Sequence, residues 1–174
     1  MSKKKILIIK LGAIGDVVHT TVIASAIKAS HSDWEVHYMT IGAIEPVIST
    51  HPHIDKIIKW DVSQRKSYSY LWRIASILRE EKYDVIFNMT NALRNNLLSY
   101  LAFPKKVVAK KSFGKSWVEE YFLCAKSVFP ELVLPVSLSL GVKMSATEKM
   151  STISRIRSTP LTLISSSLPR NGDT

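Results

Sequence analysis

The chain has 174 residues, of which 46% are hydrophobic, so one domain with an ordinary buried core is the expected organisation. Its single cysteine, Cys124, excludes an internal disulfide framework and is typical of a reducing compartment. The formal charge of +10 indicates an anionic partner, either nucleic acid, an acidic membrane surface or a phosphorylated small molecule, although such charge also serves solubility alone.

The basic and apolar N-terminus is not expected to be a secretion signal. Lys10 and Asp16 interrupt the segment that would have to be uncharged. No other stretch approaches the roughly 20 apolar residues of a membrane-spanning helix. The sequence therefore predicts a cytoplasmic protein, with contact to an anionic membrane face as a further expectation.

Short apolar runs alternate with helical patterns along most of the chain. Strands are predicted at 6–9, 34–40, 55–60, 83–89 and 105–109. Helices are predicted from 16 onward, at 70–81, 93–103 and 116–128, with a short helix or turn between Gly42 and Pro46. This alternation predicts an α/β protein, with a Rossmann-like parallel sheet and helices on both faces.

Two expectations concern particular segments of this pattern. In the helix at 93–103, Leu97, Leu98 and Leu101 are predicted to lie on one face. After Pro130 the pattern is looser, and it predicts an extended connector, a helix at 145–158, one further strand at 161–164 and a frayed end.

The segment KILIIKLGAIGDVVHTTVIASAIK, residues 5–28, combines the first strand, a turn and the first helix. Its strand is apolar throughout, as is typical of a central strand of a parallel sheet. Gly12 and Gly15 bracket the turn, where ligands of such sheets usually bind close to the free N–H groups of the helix. The turn lacks the third glycine of the dinucleotide fingerprint, so the sequence gives NAD binding little support.

Three residues near the predicted strand ends are candidates for chemistry, and each has a plainer alternative. Asp16 could act as a general base or merely cap the helix. Lys10 could contact an anionic ligand or be a solvated strand end. Arg94 suits a bidentate contact to carboxylate or phosphate, or is an exposed helix-start arginine. His19 lies one helical turn from Asp16, within its reach, but a lone histidine there is more often a packing or hydrogen-bonding residue.

A run of lysines follows the fourth helix of the pattern, at positions 105, 106, 110, 111 and 115. It either attracts phosphorylated lipid or forms a solvated face. Few aromatic residues interleave it, which counts against single-stranded nucleic acid, so no nucleic-acid partner is predicted. No group of histidine, cysteine and carboxylate residues has metal-ligand spacing, so no metal is predicted.

The run IKLGAIGDVVHT, residues 9–20, resembles the N-terminal motif of the ADP-heptose:lipopolysaccharide heptosyltransferases. Further segments resemble the family in the same order: HPHIDKIIKWD at 51–61, YDVIFNMTNALRNNLLSYLA at 83–102, KKVVAKK at 105–111 and SWVEEYF at 116–122. The resemblance covers about residues 4–142. It departs at Val22, where the family often has proline, and at Asn88 and Asn91, where the family has aspartate and glycine.

This family has a two-domain glycosyltransferase-B architecture, whose N-terminal domain binds the acceptor and whose C-terminal domain binds the nucleotide-sugar donor. The resemblance therefore implies a Rossmann-like acceptor-binding domain at 1–142, and at 143–174 a connector or the truncated start of a missing donor-binding domain. It implies transfer of heptose from ADP-heptose, as donor substrate and without a further cofactor, to an acidic sugar of the lipopolysaccharide core. Peripheral contact with the inner membrane is expected from the same resemblance.

The resemblance also implies roles for particular residues. Asp16 would be the catalytic base, and Lys10, Gly15, Asn88 and Arg94 would bind substrate. Because only the first half of the family is matched, a non-catalytic module that binds the acceptor or a partner chain is the alternative.

Overall fold

The computed structural model describes residues 3–90 and 92–134. The expected helix at 145–158, the strand at 161–164, the 143–174 segment and Asn91 lie outside the described residues, as does all but the start of the connector.

Strands and helices alternate along the described part of the chain. In order, they are β1 (Lys5–Ile9), α1 (Ile14–Ser30), β2 (Glu35–Ile41), α2 (Glu45–Ile48), β3 (Lys56–Trp60), α3 (Tyr68–Glu80), β4 (Val85–Asn88), α4 (Leu93–Leu101), β5 (Lys106–Ala109) and α5 (Trp117–Lys126). Every strand and helix predicted within this part is confirmed, with boundaries within two residues, except that the short helix α2 continues past Pro46 to Ile48.

All five strands are parallel, and their order in the sheet is β3-β2-β1-β4-β5. The most apolar strand, β1, is central, with Ile8 paired to Tyr38 of β2 on one side and to Phe87 of β4 on the other. The predicted Rossmann-like fold class is therefore confirmed. After β3 the chain crosses to the opposite side of β1, so the topological switch point lies between β1 and β4, where such sheets bind ligands.

Helices cover both faces of the sheet. On one face, α1 and α5 pack against each other and against a core that includes Ile8, Ile23 and Tyr121. On the other face, α3 and α4 pack side by side over Leu7 and Ile9. Each face of β1 is thus buried, as its uninterrupted apolar sequence predicts.

The helix α4 buries a narrower face than predicted. Leu98 is fully buried and Leu101 is half-buried, but Leu97 is 48% exposed. The prediction of one shared face is therefore wrong for Leu97. Neighbouring residues of a helix point about 100° apart, so a helix resting on the sheet with one narrow face buries only one of the two.

Because the strands are parallel, their N-termini meet at one edge of the sheet and their C-termini at the other. We call these the amino edge and the carboxyl edge.

Within residues 3–90 and 92–134, none of the helices combines the length and the apolar composition that crossing a bilayer requires.

Candidate functional site

Lys10 and Asp16 form an ion pair at the turn between β1 and α1. The Lys10 side chain is almost buried, and its Nζ lies 2.8 Å from Oδ2 of Asp16, whose side chain is 33% exposed. The Lys10 backbone N–H donates to the carbonyl of Met39 at 3.1 Å, which keeps this residue in line with the sheet. The alternative of a solvated strand end is therefore wrong, because Lys10 is enclosed and holds the carboxylate.

Asp16 stands in the first turn of α1 but does not cap it. The N-cap is Ala13, which offers no side-chain hydrogen bond, and Val17 is the first residue whose N–H bonds to it, at 2.9 Å. The N–H groups of Ile14, Gly15 and Asp16 therefore precede the first intrahelical bond. These donors and the partial positive charge of the helix end favour an anion at this turn.

Gly12 and Gly15 carry no side chain on either side of this turn. A Cβ built on either residue meets no atom within 4 Å, and neither residue has a left-handed backbone conformation. Neither close packing nor φ requires glycine at these positions. What both glycines provide is bare backbone beside open space, which allows a ligand to approach closely.

Tyr121 of α5 closes the back of the turn. Its ring is fully buried, with its centroid 5.9 Å from Nζ of Lys10. Burial, with smaller effects from Asp16 and Glu120, raises the pKa of the Tyr121 hydroxyl to about 12, so it stays a neutral phenol. His19 makes no hydrogen bond to Asp16, and its buried Nδ1 has no partner among the described residues.

A cleft opens at the carboxyl edge beside this turn. It has a volume of about 610 Å³ and reaches from Leu11 and Gly12 to Trp60, Arg65, Lys66 and Arg94. We call it the carboxyl-edge cleft. Its wall thus combines Gly12 of the turn, one aromatic ring and three cationic side chains.

Arg94, at the start of α4, is fixed by its surroundings without losing its charge. Its Nη2 donates to the carbonyl of Ser67, and its guanidinium carbon lies 5.5 Å from the ring centroid of Tyr68. It forms no ion pair with any described residue. The structure therefore brings Arg94 into the same cleft as Gly12, with its charge available to a ligand.

Asn88 is buried at the end of β4, and both ends of its amide are engaged. Its Nδ2 donates to Oδ1 of Asn96 at 2.7 Å, and its Oδ1 accepts the N–H of Thr90 at 3.1 Å. These bonds shape the loop that carries Thr90 into the cleft wall. A direct contact between Asn88 and substrate stays a prediction.

The sequence reasoning missed Trp60, Arg65 and Lys66 as cleft residues. All three lie at or just after the carboxyl end of β3. These residues could have been predicted from the sequence, because ligands bind at the carboxyl ends of parallel strands. This holds for residues that follow β3 as well as for Arg94, which follows β4.

The predicted run of lysines is divided between two places. Lys105 lies at the amino edge, where its Nζ is 2.6 Å from Oδ1 of Asp84. Lys110 lies at the carboxyl edge, with its Nζ 3.9 Å from the ring centroid of Trp117. Lys110, Lys115 and Trp117 line a separate pocket of about 510 Å³, so the run is not one continuous surface.

In the described ranges no group of three His, Cys, Asp or Glu side chains could hold a metal ion.

The fold and the cleft place this chain in a class before any relative is considered. A parallel sheet with a glycine turn and a cation-lined cleft at its switch point is the arrangement of a nucleotide-type or sugar-binding α/β domain. Solved structures of glycosyltransferases share this fold. The chain matches a glycosyltransferase of family 9 from Veillonella parvula with a TM-score of 0.64, 18% identity, and coverage of 90% of this chain and 49% of that one.

Two Escherichia coli enzymes give similar matches. ADP-heptose lipopolysaccharide heptosyltransferase II matches with a TM-score of 0.64 and 17% identity, over 90% of this chain and 51% of that one. Heptosyltransferase WaaC, solved with ADP-2-deoxy-2-fluoro heptose, matches with a TM-score of 0.63 and 14% identity, over 78% and 52% of the two chains. The fold is thus that of the glycosyltransferase-B type.

The chain also matches a heptosyltransferase by sequence. The chain is 27% identical over 120 residues to lipopolysaccharide heptosyltransferase 1 of Campylobacter coli, which is 68% of this chain and 33% of that protein. No family model matches the chain. The resemblance to heptosyltransferases that the motifs predict is therefore confirmed.

The matches cover only part of the relatives. The chain spans about a third of the length of the curated relative and about half of the length of the solved structures. This coverage agrees with a match to one half of the family's two-domain architecture.

Proposed function

We propose that this chain is the acceptor-binding part of a heptosyltransferase-like glycosyltransferase. The implied reaction transfers heptose from ADP-heptose to an acidic sugar of the lipopolysaccharide core, in the cytoplasm at the inner membrane. The region up to residue 142 would bind the acceptor, and a separate donor-binding half would hold the ADP-heptose.

The observation that carries this proposal is a carboxylate fixed on the same turn whose Gly12 lines a cationic cleft. Asp16 is fixed by Lys10 at 2.8 Å, on the turn whose Gly12 lines the cleft. Across the cleft, Arg65, Lys66 and Arg94 form no ion pair with a described residue. Unpaired cations attract an acidic sugar or a phosphate, and a carboxylate next to them can accept a proton from a bound hydroxyl.

The proposed reaction proceeds with inversion at the anomeric carbon. An acceptor hydroxyl attacks that carbon, the bond from carbon to the ADP oxygen breaks, and ADP leaves with the electron pair. Asp16 accepts the proton of the attacking hydroxyl. Lys10 acts as a positioning residue, because its enclosed ammonium fixes the direction of the carboxylate without reaching the cleft itself. Gly15 contributes backbone N–H at the helix start, and Asn88 shapes the loop on the far side.

A transfer assay tests this proposal. The wild-type chain, Asp16→Asn and Asp33→Asn are each combined with the donor-binding half of a heptosyltransferase, supplied as a second chain, and incubated with ADP-heptose and lipopolysaccharide core that lacks heptose. We expect Asp16→Asn to lower the transfer rate by about 100-fold or more, since general-base catalysis contributes on that order. Asp33 is an exposed carboxylate near the amino edge, so Asp33→Asn is the matched control and should keep the wild-type rate. An undiminished rate for Asp16→Asn would remove Asp16 from the mechanism.

A second candidate follows from the partial coverage of the relatives. Because the chain spans about a third of the curated relative, a module that binds the acidic acceptor without turnover is also consistent with the cleft. Calorimetry together with the transfer assay separates the two candidates. Binding of the heptose-free core by this chain, with no transfer even when the donor-binding half is supplied, supports the binding module. Tight binding of ADP-heptose by this chain alone contradicts it.

A further inference from the structure

The helix α4 carries an apolar stripe on its outer side. Leu93, Leu97, Tyr100 and Phe103 follow one another at intervals of four, three and three residues, so they share one side of the helix and its end. Leu93 is 88% exposed and Phe103 is 70% exposed. Surface helices normally turn such a stripe toward the core, whereas α4 buries Leu98 and leaves this stripe in solvent.

The neighbouring helix α3 extends this surface. Tyr68 and Trp72, one turn apart, are both more than half exposed. The two helices are joined at both ends, by Arg94 against the Tyr68 ring and by Arg79, whose Nη2 donates to the carbonyl of Leu101 at 3.1 Å. We call the joint surface the α3–α4 face, defined by Tyr68, Trp72, Leu93, Leu97, Tyr100 and Phe103.

The charges on these two helices are one-sided. Between them, α3 and α4 contain Arg73, Arg79 and Arg94 but a single carboxylate, Glu80. None of the three arginines forms an ion pair with a described residue. Arg79 instead lies over the Phe103 ring, with its guanidinium carbon 4.8 Å from the centroid. Exposed leucine, tyrosine and tryptophan together with unpaired arginine are the composition that settles at the boundary of a bilayer with anionic lipids.

We propose that the α3–α4 face docks on an anionic bilayer surface and thereby holds the carboxyl-edge cleft next to the lipid headgroups. The face is continuous with the cleft, because Arg94 lines the cleft and also contacts Tyr68. This inference rests on the proposed function for the nature of the acceptor, which is a sugar anchored to the membrane by its lipid. Docking would bring such an acceptor to Asp16 without the chain extracting it from the bilayer.

Two other arrangements fit the observations less well. A symmetric dimer through this face would set its unpaired arginines near their own copies, which is unfavourable unless an anion lies between them. The run of lysines is a weaker membrane site, because Lys105 is neutralised by Asp84 at the amino edge while Lys110 and Lys115 lie at the opposite edge.

Two exposed tryptophans allow these surfaces to be distinguished. Trp72 lies on the α3–α4 face and Trp117 lies beside the lysines, while Trp34 and Trp60 are buried. Trp117→Phe therefore leaves Trp72 as the exposed fluorophore, and Trp72→Phe leaves Trp117. Each full-length chain is mixed with phosphatidylcholine vesicles containing about 30% phosphatidylglycerol, with and without brominated acyl chains. We expect a blue shift and quenching for Trp117→Phe, and neither change for Trp72→Phe.

A paired substitution measures the contribution of the face. Leu93→Gln together with Leu97→Gln keeps good helix formers at exposed positions, so folding should be preserved and can be checked by the urea midpoint. We expect vesicle partitioning to weaken roughly tenfold or more. Phe113→Gln, an exposed apolar residue beside the lysines, is the control and should leave partitioning unchanged.

The outcomes separate docking from the proposed function, because these vesicles contain neither glycolipid nor ADP-heptose. Docking on these vesicles, together with no sugar transfer in the separate transfer assay, would leave this inference standing and count against the proposed enzymatic function. Unchanged partitioning of the double variant, equal quenching of Trp117, or a solution dimer that the double variant dissociates would each overturn the docking surface.

Discussion

The amino edge and the carboxyl edge of the sheet use their charged residues differently. At the amino edge, lysines are neutralised by carboxylates, in the pairs Lys5–Glu81, Lys28–Asp55, Lys56–Glu81 and Lys105–Asp84. At the carboxyl edge, Arg65, Lys66 and Arg94 line the cleft without a carboxylate partner among the described residues. The cleft therefore gathers three cations whose charge no described carboxylate neutralises.

This difference separates charged residues that stabilise the fold from charged residues that are available to bind a ligand. Glu81 joins the starts of β1 and β3 through two lysines, so its charge contributes to folding. The cations of the cleft repel one another and gain little until an anion arrives. Substitutions at the two edges should therefore affect different properties, and the following predictions test that separation.

The largest expected effect concerns binding at the carboxyl edge. Arg65→Gln together with Lys66→Gln should weaken binding of heptose-free lipopolysaccharide core by about 100-fold or more, because charge-assisted hydrogen bonds to an anion contribute about 1.5–3 kcal/mol each. Isothermal calorimetry measures the change. Lys106→Gln removes an exposed lysine at the start of β5 and should leave the affinity unchanged. Equal losses in both variants would mean that the cleft has no special part in binding.

The next effect concerns the ion pair at the turn. Asp16→Asn should lower the free energy of unfolding by about 2–3 kcal/mol, because it leaves the almost buried Lys10 ammonium without a partner. Lys10→Met should cost about 1 kcal/mol or less, because it removes the enclosed charge and leaves a carboxylate that water reaches. Urea unfolding compares the two variants. A larger loss for Lys10→Met would show that Asp16, rather than Lys10, is the group that needs its partner.

The amino edge should show a dependence on pH. Hydrogen bonds from Lys5 and Lys56 lower the pKa of Glu81 to about 2. Because the folded pKa lies below the ordinary value, this stabilisation is present above about pH 4.5 and is lost as the pH falls toward 2. Glu81→Gln should therefore cost about 1–2 kcal/mol at pH 7, after allowance for solvent screening, and progressively less below pH 4.5. Urea midpoints of both proteins between pH 7 and pH 3 measure this, and a constant difference would contradict it.

The smallest effects separate two glycines of the carboxyl edge. Gly15→Ala should be neutral or stabilise by up to about 1 kcal/mol, because Gly15 is helical and a Cβ there meets no atom within 4 Å. Gly114 has φ +66°, so Gly114→Ala should destabilise by about 1 kcal/mol. Thermal unfolding measures both. If Gly15→Ala keeps its stability but loses affinity for the core, bare backbone at the turn serves binding rather than folding.

Much of the fold follows from local patterns. The apolar runs and helical spacings place the five strands and the four long helices of the described chain to within two residues, because each strand is a short, mostly apolar run and each helix is a longer segment with helical spacing of apolar residues. The depth to which a helix is buried follows less directly. Leu97 and Leu98 are equally apolar, and only the packing of α4 on the sheet decides that Leu98 is buried and Leu97 exposed.

The candidate site, too, follows only in part from the local sequence. The strand–turn–helix pattern predicts that Asp16 and Lys10 lie near a ligand crevice, because parallel strands end at a common edge. It does not predict that the two side chains pair with each other, or that Arg65 and Lys66 share a cleft with Arg94. Those contacts join residues from separate loops, so they depend on strand order rather than on local sequence.

The sequence by itself determines the elements, the parallel α/β class, the heptosyltransferase resemblance and the excess of positive charge. Tertiary structure alone decides which charges neutralise one another. Ion pairs form between side chains that the β3-β2-β1-β4-β5 order brings together, and that order leaves Arg65, Lys66 and Arg94 of the cleft without a described carboxylate partner. Long-range packing thus places part of the net charge of +10 in the carboxyl-edge cleft.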